Sequence, residues 1–152
     1  MSILGHLKEY YNKVMDLPDA PNKVARGASW GLALDFLPIP IFSIPLAYVM
    51  ARITGGNGLA GALTAALFKL AVPFFYVLNI TTGNFLLGLH LPNDIVALAM
   101  MGTLEHKIEQ LLALGPPFLV GSLVNAFLAW LLIFFVVKRL LLLRQQYKEH
   151  RI

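Results

Sequence analysis

The chain has 152 residues, 58% of them hydrophobic and only 13% charged, with a formal net charge of +4 and no cysteine. Its mean hydropathy is +0.71; a soluble domain, which carries about 25% charged residues, would show large apolar surface patches at this composition. That leaves a single integral membrane domain over 1–152 as the expectation, and it excludes a disulfide framework or a thiolate metal site.

The basic residues flank the apolar sequence at its two ends, a pattern of anchoring at anionic lipid rather than of nucleic-acid binding. Residues 1–20 read as an interfacial amphipathic helix: Ile3, Leu4, Leu7, Tyr10, Tyr11 and Val14 recur at three- and four-residue spacing, with Lys8 and Lys13 off the stripe. A cap packed on the rest of the protein fits the same pattern. The charges of this stretch interrupt any apolar core, so it does not read as a cleavable signal peptide. Leu17 to Asn22 is a turn, with Asn22 the candidate N-cap of the next helix.

Residues 21–89 read as two proline-broken helical segments. The first helix, 23–36, is about 14 residues or roughly 21 Å long, short of the 20 or so residues that a crossing needs. Pro38, Pro40 and Pro45 then remove backbone donors. Either the chain turns back as a re-entrant hairpin or it crosses as one kinked helix; two prolines two residues apart favour the hairpin. Ser43 is placed to cap a resumed helix through Arg52, closed by Gly55-Gly56-Asn57.

The run from Gly58 to Leu89 repeats the plan, with a break expected at Pro73. Gly27, Gly31 and Asp35 are spaced by four, as are Gly61, Ala65 and Lys69: in each half two small residues and then a charge share one helical stripe. Small residues at this spacing let membrane helices approach closely, and paired broken helices are a feature of transporter repeats. A polar turn at His90 to Asp94 leads into a short helix over 93–114, ended by Gly115-Pro116-Pro117. Phe118 to Val137 carries no charge and reads as a transmembrane helix continuing through 148, with Gly121, Asn125 and Trp130 its distinctive residues. Lys138, Arg139, Arg144, Lys148 and Arg151 place the C-terminus in the cytoplasm, and Lys13, Lys23 and Arg26 do the same for the N-terminus.

Between Ala20 and Gly88 the chain resembles the bacterial membrane family known as domain of unknown function 2062. The resemblance rests on Pro21, Ala25, Gly27 and Gly31 leading into Pro38-Ile39-Pro40, then Arg52 and Asn57, then Pro73 and Tyr76. Asp35 stands where the family tends to have a small residue, and Lys69-Leu70 where it tends to have Asn-Pro. The resemblance implies a small bacterial inner-membrane protein, and relatives fused to glycosyltransferases that use lipid-linked sugars; it assigns no reaction.

Asp35 and Lys69 are the residues with most to say about function, because each is expensive at bilayer depth and must face protein or water. Near a helix C-terminus the dipole disfavours Asp35 and favours Lys69, so the expectation is an ion pair joining the two segments. It would either fix helix register or form a coupling or substrate-charge site. Arg26 and Arg52, with Lys69, could cradle a phosphate headgroup, against the plainer reading of snorkelling to the interface. Trp30, Tyr48 and Tyr76 could be interfacial anchors. His6, His90, His106 and His150 have no metal-ligand spacing, and no catalytic or phosphate-loop motif is present, so no metal, cofactor or enzyme activity is expected. The fold expected is all-α integral membrane, broken or re-entrant hairpins plus a C-terminal transmembrane helix, with a homo-oligomer as its state. Two functions are carried forward: transport or handling of an anionic or phosphate-headed lipid or ion at the paired broken helices, and a non-catalytic membrane scaffold for an envelope-biosynthesis partner.

Overall fold

The computed structural model describes residues 2–39, 41–88 and 115–151, all helical or turn. The helix expected over 93–114 and the turn proline Pro40 lie outside them. Helix α1 (Ile3–Met15) starts at Ser2, whose hydroxyl accepts from the Gly5 amide at 3.3 Å. Helix α2 (Pro21–Asp35) begins two residues earlier than Asn22 would place it: Pro21 occupies the first helical position, where its missing N–H costs nothing, and no side chain caps the end.

Helix α3 (Ser43–Ile53) runs back along α2. Its end lies beside the start of α2, where Trp30 Nε1 donates to Thr54 Oγ1 at 2.9 Å and Arg26 Nη1 to the Thr54 carbonyl at 2.7 Å. The Gly56 and Gly55 amides reach back to the Ala51 and Arg52 carbonyls at 2.6 and 3.2 Å, with Gly55 at φ +75°. That is the double bond of a Schellman ending, and the left-handed residue in it is the one that glycine suits. Asn57 then caps helix α4 (Gly58–Phe68), its Oδ1 accepting from the Ala60 amide at 2.9 Å.

The second apolar run does not repeat the hairpin. After α4 a three-residue 3₁₀ turn, Lys69–Ala71, leads directly into α5 (Val72–Leu87), so that Gly58–Leu87 is one helical rod of 30 residues. Pro73 tightens this rod and does not break it. It sits in the first turn of α5, where a missing donor is tolerated. Pro45 is tolerated in the first turn of α3 for the same reason, which leaves Pro38 as the described proline inside the reversal. The four-residue stripes thus repeat in the sequence without repeating the fold.

Helix α6 (Pro116–Glu149) runs antiparallel to both α5 and α2, passing Gly83 and Asn79 first and Trp30 and Val24 later. The rod and α6 are each long and apolar enough to cross a membrane, with mean hydropathy 1.7 and 2.4 over their best windows, of which only 28% is buried in each case. Large side chains stand exposed on both, among them Leu70, Phe74 and Phe85 on the rod and Leu123, Phe127 and Phe135 on α6.

The half of α1 nearest α2 packs on the bundle. Val14 joins Val24, Ala28, Val137 and Leu141 in a core cluster, and Asp16 pairs with Arg144 at 3.0 Å. Thr64 spends its single hydroxyl proton on the Ala60 carbonyl at 2.7 Å, so Tyr10 donates in its 2.6 Å bond to Thr64. Ile3, Leu4 and Leu7 at the other end of α1 remain exposed.

Backbone-to-backbone contact sets the helix spacing. A Cβ on Gly31 would collide with the Gly61 carbonyl oxygen and lie 2.6 Å from Thr64 Cβ; a Cβ on Gly27 would collide with the Asn57 carbonyl. Gly83 and Gly121 do the same for α5 and α6. Gly31→Ala is therefore expected to lower stability by about 1–3 kcal/mol through overpacking. Gly5→Ala, where a Cβ meets only Ser2 Oγ at 3.6 Å, should gain up to about 1 kcal/mol from helix propensity. Thermal unfolding of the two variants in the same detergent checks the contrast, and equal melting shifts would contradict it.

Candidate functional site

The glycine contacts fix the register that builds the site. Helices α2 and α4 run parallel, with Gly27 against Asn57 and Ala60, and Gly31 against Gly61 and Thr64. One turn further, Asp35 on α2 meets Lys69 just past the end of α4. Lys69 Nζ lies 3.3 Å from Asp35 Oδ1 and also donates a short hydrogen bond to Ser43 Oγ at the start of α3. The ion pair expected from the spacing is thus present, with a third partner. Ser43 is the first residue of α3; Phe42 occupies the cap position, and the Ser43 hydroxyl serves the charged pair instead.

The two members of the pair are unequally sheltered. The Asp35 side chain is fully buried, whereas 31% of the Lys69 side chain is exposed. Among the described residues Asp35 Oδ2 has no hydrogen-bond partner. The carboxylate is held from one side, and the partly exposed Lys69 side chain lies at the tip of the α2–α3 hairpin, near the exposed Ile41, Phe42 and Leu70.

A second polar group completes the tip. Asn79 of α5 is fully buried, and its Nδ2 donates to the Phe36 carbonyl at 2.6 Å, one of the carbonyls left over where α2 ends. Asn79 Oδ1 accepts from Asn125 Nδ2 at 3.1 Å, and Asn125 Oδ1 from Thr82 Oγ1 at 3.2 Å. Phe36 also stacks on Phe75 with ring centres 4.2 Å apart. Within the tip the Leu37 amide reaches the Leu34 carbonyl and the Ile39 amide the Leu37 carbonyl. Backbone freed by the reversal is therefore satisfied by protein. Asn79 carries this role without any motif around it; the only signal for it in the sequence is an amide isolated in an apolar run, three and four residues ahead of Thr82 and Gly83.

The other expected binding residues are elsewhere. Arg26 closes the end of α3 through the Thr54 carbonyl, and Arg52 lies exposed across Gly58. Both belong to the opposite end of the hairpin from Lys69, about 13 Å away along α2 at 1.5 Å per residue. The phosphate cradle of Arg26, Arg52 and Lys69 is therefore not formed. Nor are the three aromatic residues a common belt. Tyr76 is buried edge-on against Phe118 at 5.3 Å, Trp30 meets Trp130 edge-on at 6.4 Å, and only Tyr48 is substantially exposed. Among the described residues no group of three His, Asp or Glu comes together as a metal site would require.

Breaking the pair from its two sides should cost different amounts. Lys69→Met strands a buried carboxylate and is expected to lose about 3–5 kcal/mol. Asp35→Asn leaves an ammonium that can turn outward, with a loss nearer the about 1.5–3 kcal/mol of a charged hydrogen bond. The double variant should recover most of the larger loss; chemical denaturation in detergent that finds it no better than Lys69→Met alone would refute the coupling. Asn79→Ala, which orphans the Phe36 carbonyl and the Asn125 amide, should cost about 1–3 kcal/mol in the same assay.

Comparison with known proteins gives one assignment. No curated protein and no solved structure matches the chain. A family model matches residues 4–150, and its description is an uncharacterised protein conserved in bacteria, domain of unknown function 2062. The match runs beyond the Ala20–Gly88 stretch to nearly the whole chain, and this protein belongs to that bacterial family.

Proposed function

We propose that this is an integral protein of the bacterial inner membrane that handles an anionic, phosphate-headed lipid or ion at the tip of a re-entrant hairpin, without catalysing a reaction. The exposed Leu, Phe and Val side chains along the rod and α6 suit lipid and would be costly in water. Among the described residues every Lys and Arg except Lys69 lies on α1, at the start of α2, at the end of α3, on the last turns of α6 or, for Arg151, just past them. Those segments share one end of the bundle, and the positive-inside rule assigns that end, C-terminus included, to the cytoplasm. With Arg26 at headgroup level, Asp35 and Lys69 lie about 13 Å deeper, close to the middle of a hydrocarbon core of about 30 Å.

The carrying observation is the partial exposure of the Lys69 side chain. A charged group at this depth is a functional site by default, and here the cation is held in place by a buried carboxylate while 31% of its side chain stays exposed. Asp35 and Ser43 hold the ammonium in position. A phosphate reaching the hairpin tip would take the ammonium as a point-charge partner. The complete burial of Asp35 favours a second reading, in which the pair only locks helix register and the protein is a scaffold for an envelope-biosynthesis partner.

Water and phosphate at the tip separate the two readings. The chain has no native cysteine, so Phe42→Cys at the exposed tip reports alone. In sealed membranes it is expected to react with a charged, water-soluble thiol reagent, and a short-chain phosphate-headed lipid should slow that reaction several-fold. The protection should vanish in the Asp35→Asn, Lys69→Met background. A tip that stays unreactive while Arg52→Cys labels normally would favour the scaffold and end the handling proposal.

A further inference from the structure

A groove runs between α2 and α6 on the outside of the bundle, away from the Asp35–Lys69 pair. Its volume is about 420 Å³ and its walls are apolar: Trp30 and Ala33 on α2 and Leu37 just past its end, with Leu123, Phe127 and Trp130 on α6. The spacing of these residues continues, on both helices, into positive charge. On α2 the stripe Leu37, Ala33, Trp30 reaches Arg26 one turn on. On α6 the stripe Leu123, Phe127, Trp130 passes through Phe134 to Lys138 at the same four-residue steps.

The α6 side is a connected ladder. Trp130 stacks on Phe134 with ring centres 5.3 Å apart and planes 4° from parallel, and Lys138 Nζ sits over the Phe134 ring at 5.7 Å. On the α2 side Arg26 uses Nη1 on the Thr54 carbonyl, one of the five donors a guanidinium carries. Because α2 and α6 are antiparallel, with Trp30 beside Trp130, Arg26 and Lys138 fall at the same end of the groove. The slot is thus apolar along its length and cationic at one end, and that end is the one carrying the other basic residues.

We propose that this groove binds one acyl chain of an anionic phospholipid, with the chain along Trp30, Leu37, Phe127 and Leu123 and the phosphate between Arg26 and Lys138. Charge complementarity selects this occupant. A second copy of the chain would bring its own cations to the same place, and a neutral lipid would leave two cations at the rim unanswered. The groove reaches the hairpin tip only at Leu37, and its cationic end lies at the opposite end of α2 from Lys69. It rests on the membrane placement given under Proposed function and not on any role of Lys69.

The chain supplies its own probes, since its two tryptophans both line the groove. The full-length protein is reconstituted into phosphatidylcholine vesicles containing a low fraction of phospholipid brominated at mid-chain, and tryptophan quenching is read. Brominated phosphatidylglycerol is expected to quench as though enriched about fivefold for each basic residue engaged, relative to brominated phosphatidylcholine at the same fraction. Lys138→Gln, on a partly exposed position of α6, should remove one such factor, and Ala126→Leu, which narrows the groove, should reduce quenching by both lipids. Equal quenching by the two headgroups overturns the proposal. So does an absence of quenching at low fraction when fully brominated phosphatidylcholine still quenches, which would mean that the groove is filled by protein. No quenching even in fully brominated vesicles would sink the membrane placement itself.

Discussion

The contact between the backbones of α2 and α4 is the constraint from which the rest of the structure follows. Gly27 and Gly31 bring α2 so close that carbonyl oxygens of Asn57 and Gly61 occupy the space a Cβ would need. In the membrane placement proposed above there is no hydrophobic force between helices, and close packing of small residues would hold them together. The same contact sets register to within one residue. A slip by one position would turn Asp35 away from Lys69 and bury both charges without partners. The glycines thus fix where the charge sits as well as how near the helices lie.

The reversal between α2 and α3 raises a different problem, that of backbone groups left without helical partners. Pro38 removes a donor, which helps, but the carbonyls at the end of α2 still need partners. Asn79 reaches the Phe36 carbonyl only because α5 lies against α6, where Gly83 and Gly121 permit a second backbone-close approach. Asn125 and Thr82 then satisfy the amide that does the capping. The polar chain through Asn79 belongs to the reversal, and the second pair of glycines belongs to the polar chain. This coupling ties α5 and α6 to the hairpin through residues outside the four-residue stripes.

What was legible in the sequence is what depends on spacing along a single helix. The four-residue steps from Gly27 to Asp35 and from Gly61 to Lys69 state a face and a register, and the structure uses both. Gly55-Gly56-Asn57 encodes an ending and a new cap in adjacent residues, and the chain folds that way. Pro73 misled because a proline alone does not say whether it falls in the interior of a helix or in the first turn of the next one; the 3₁₀ turn at Lys69–Ala71 moved it into the first turn. Arg26 and Arg52 misled for a related reason. They are near Lys69 in the order of segments, yet a helix lies between their level and its own. The groove of Trp30 and Trp130 was out of reach altogether, since it joins residues about a hundred positions apart on antiparallel helices, and no local pattern announces which faces will meet.

The Asp35–Lys69 pair is not needed merely to hold the helices together. A buried ion pair is matched or bettered in stability by apolar residues of the same volume, and the glycine contacts already supply the register. Snorkelling does not explain Lys69 either, for its side chain reaches a few ångströms while the basic end of the bundle lies about 13 Å off. A lysine kept at this depth therefore needs its carboxylate, and the carboxylate would be a liability without the lysine. If register were the whole purpose, both members could be sealed, as Asp35 is. Instead the Lys69 side chain stays about a third exposed, at a point where a serine, an asparagine and a proline hold an irregular tip in place. This fixed backbone around a partly exposed charged side chain is what supports the anion-handling proposal over register alone.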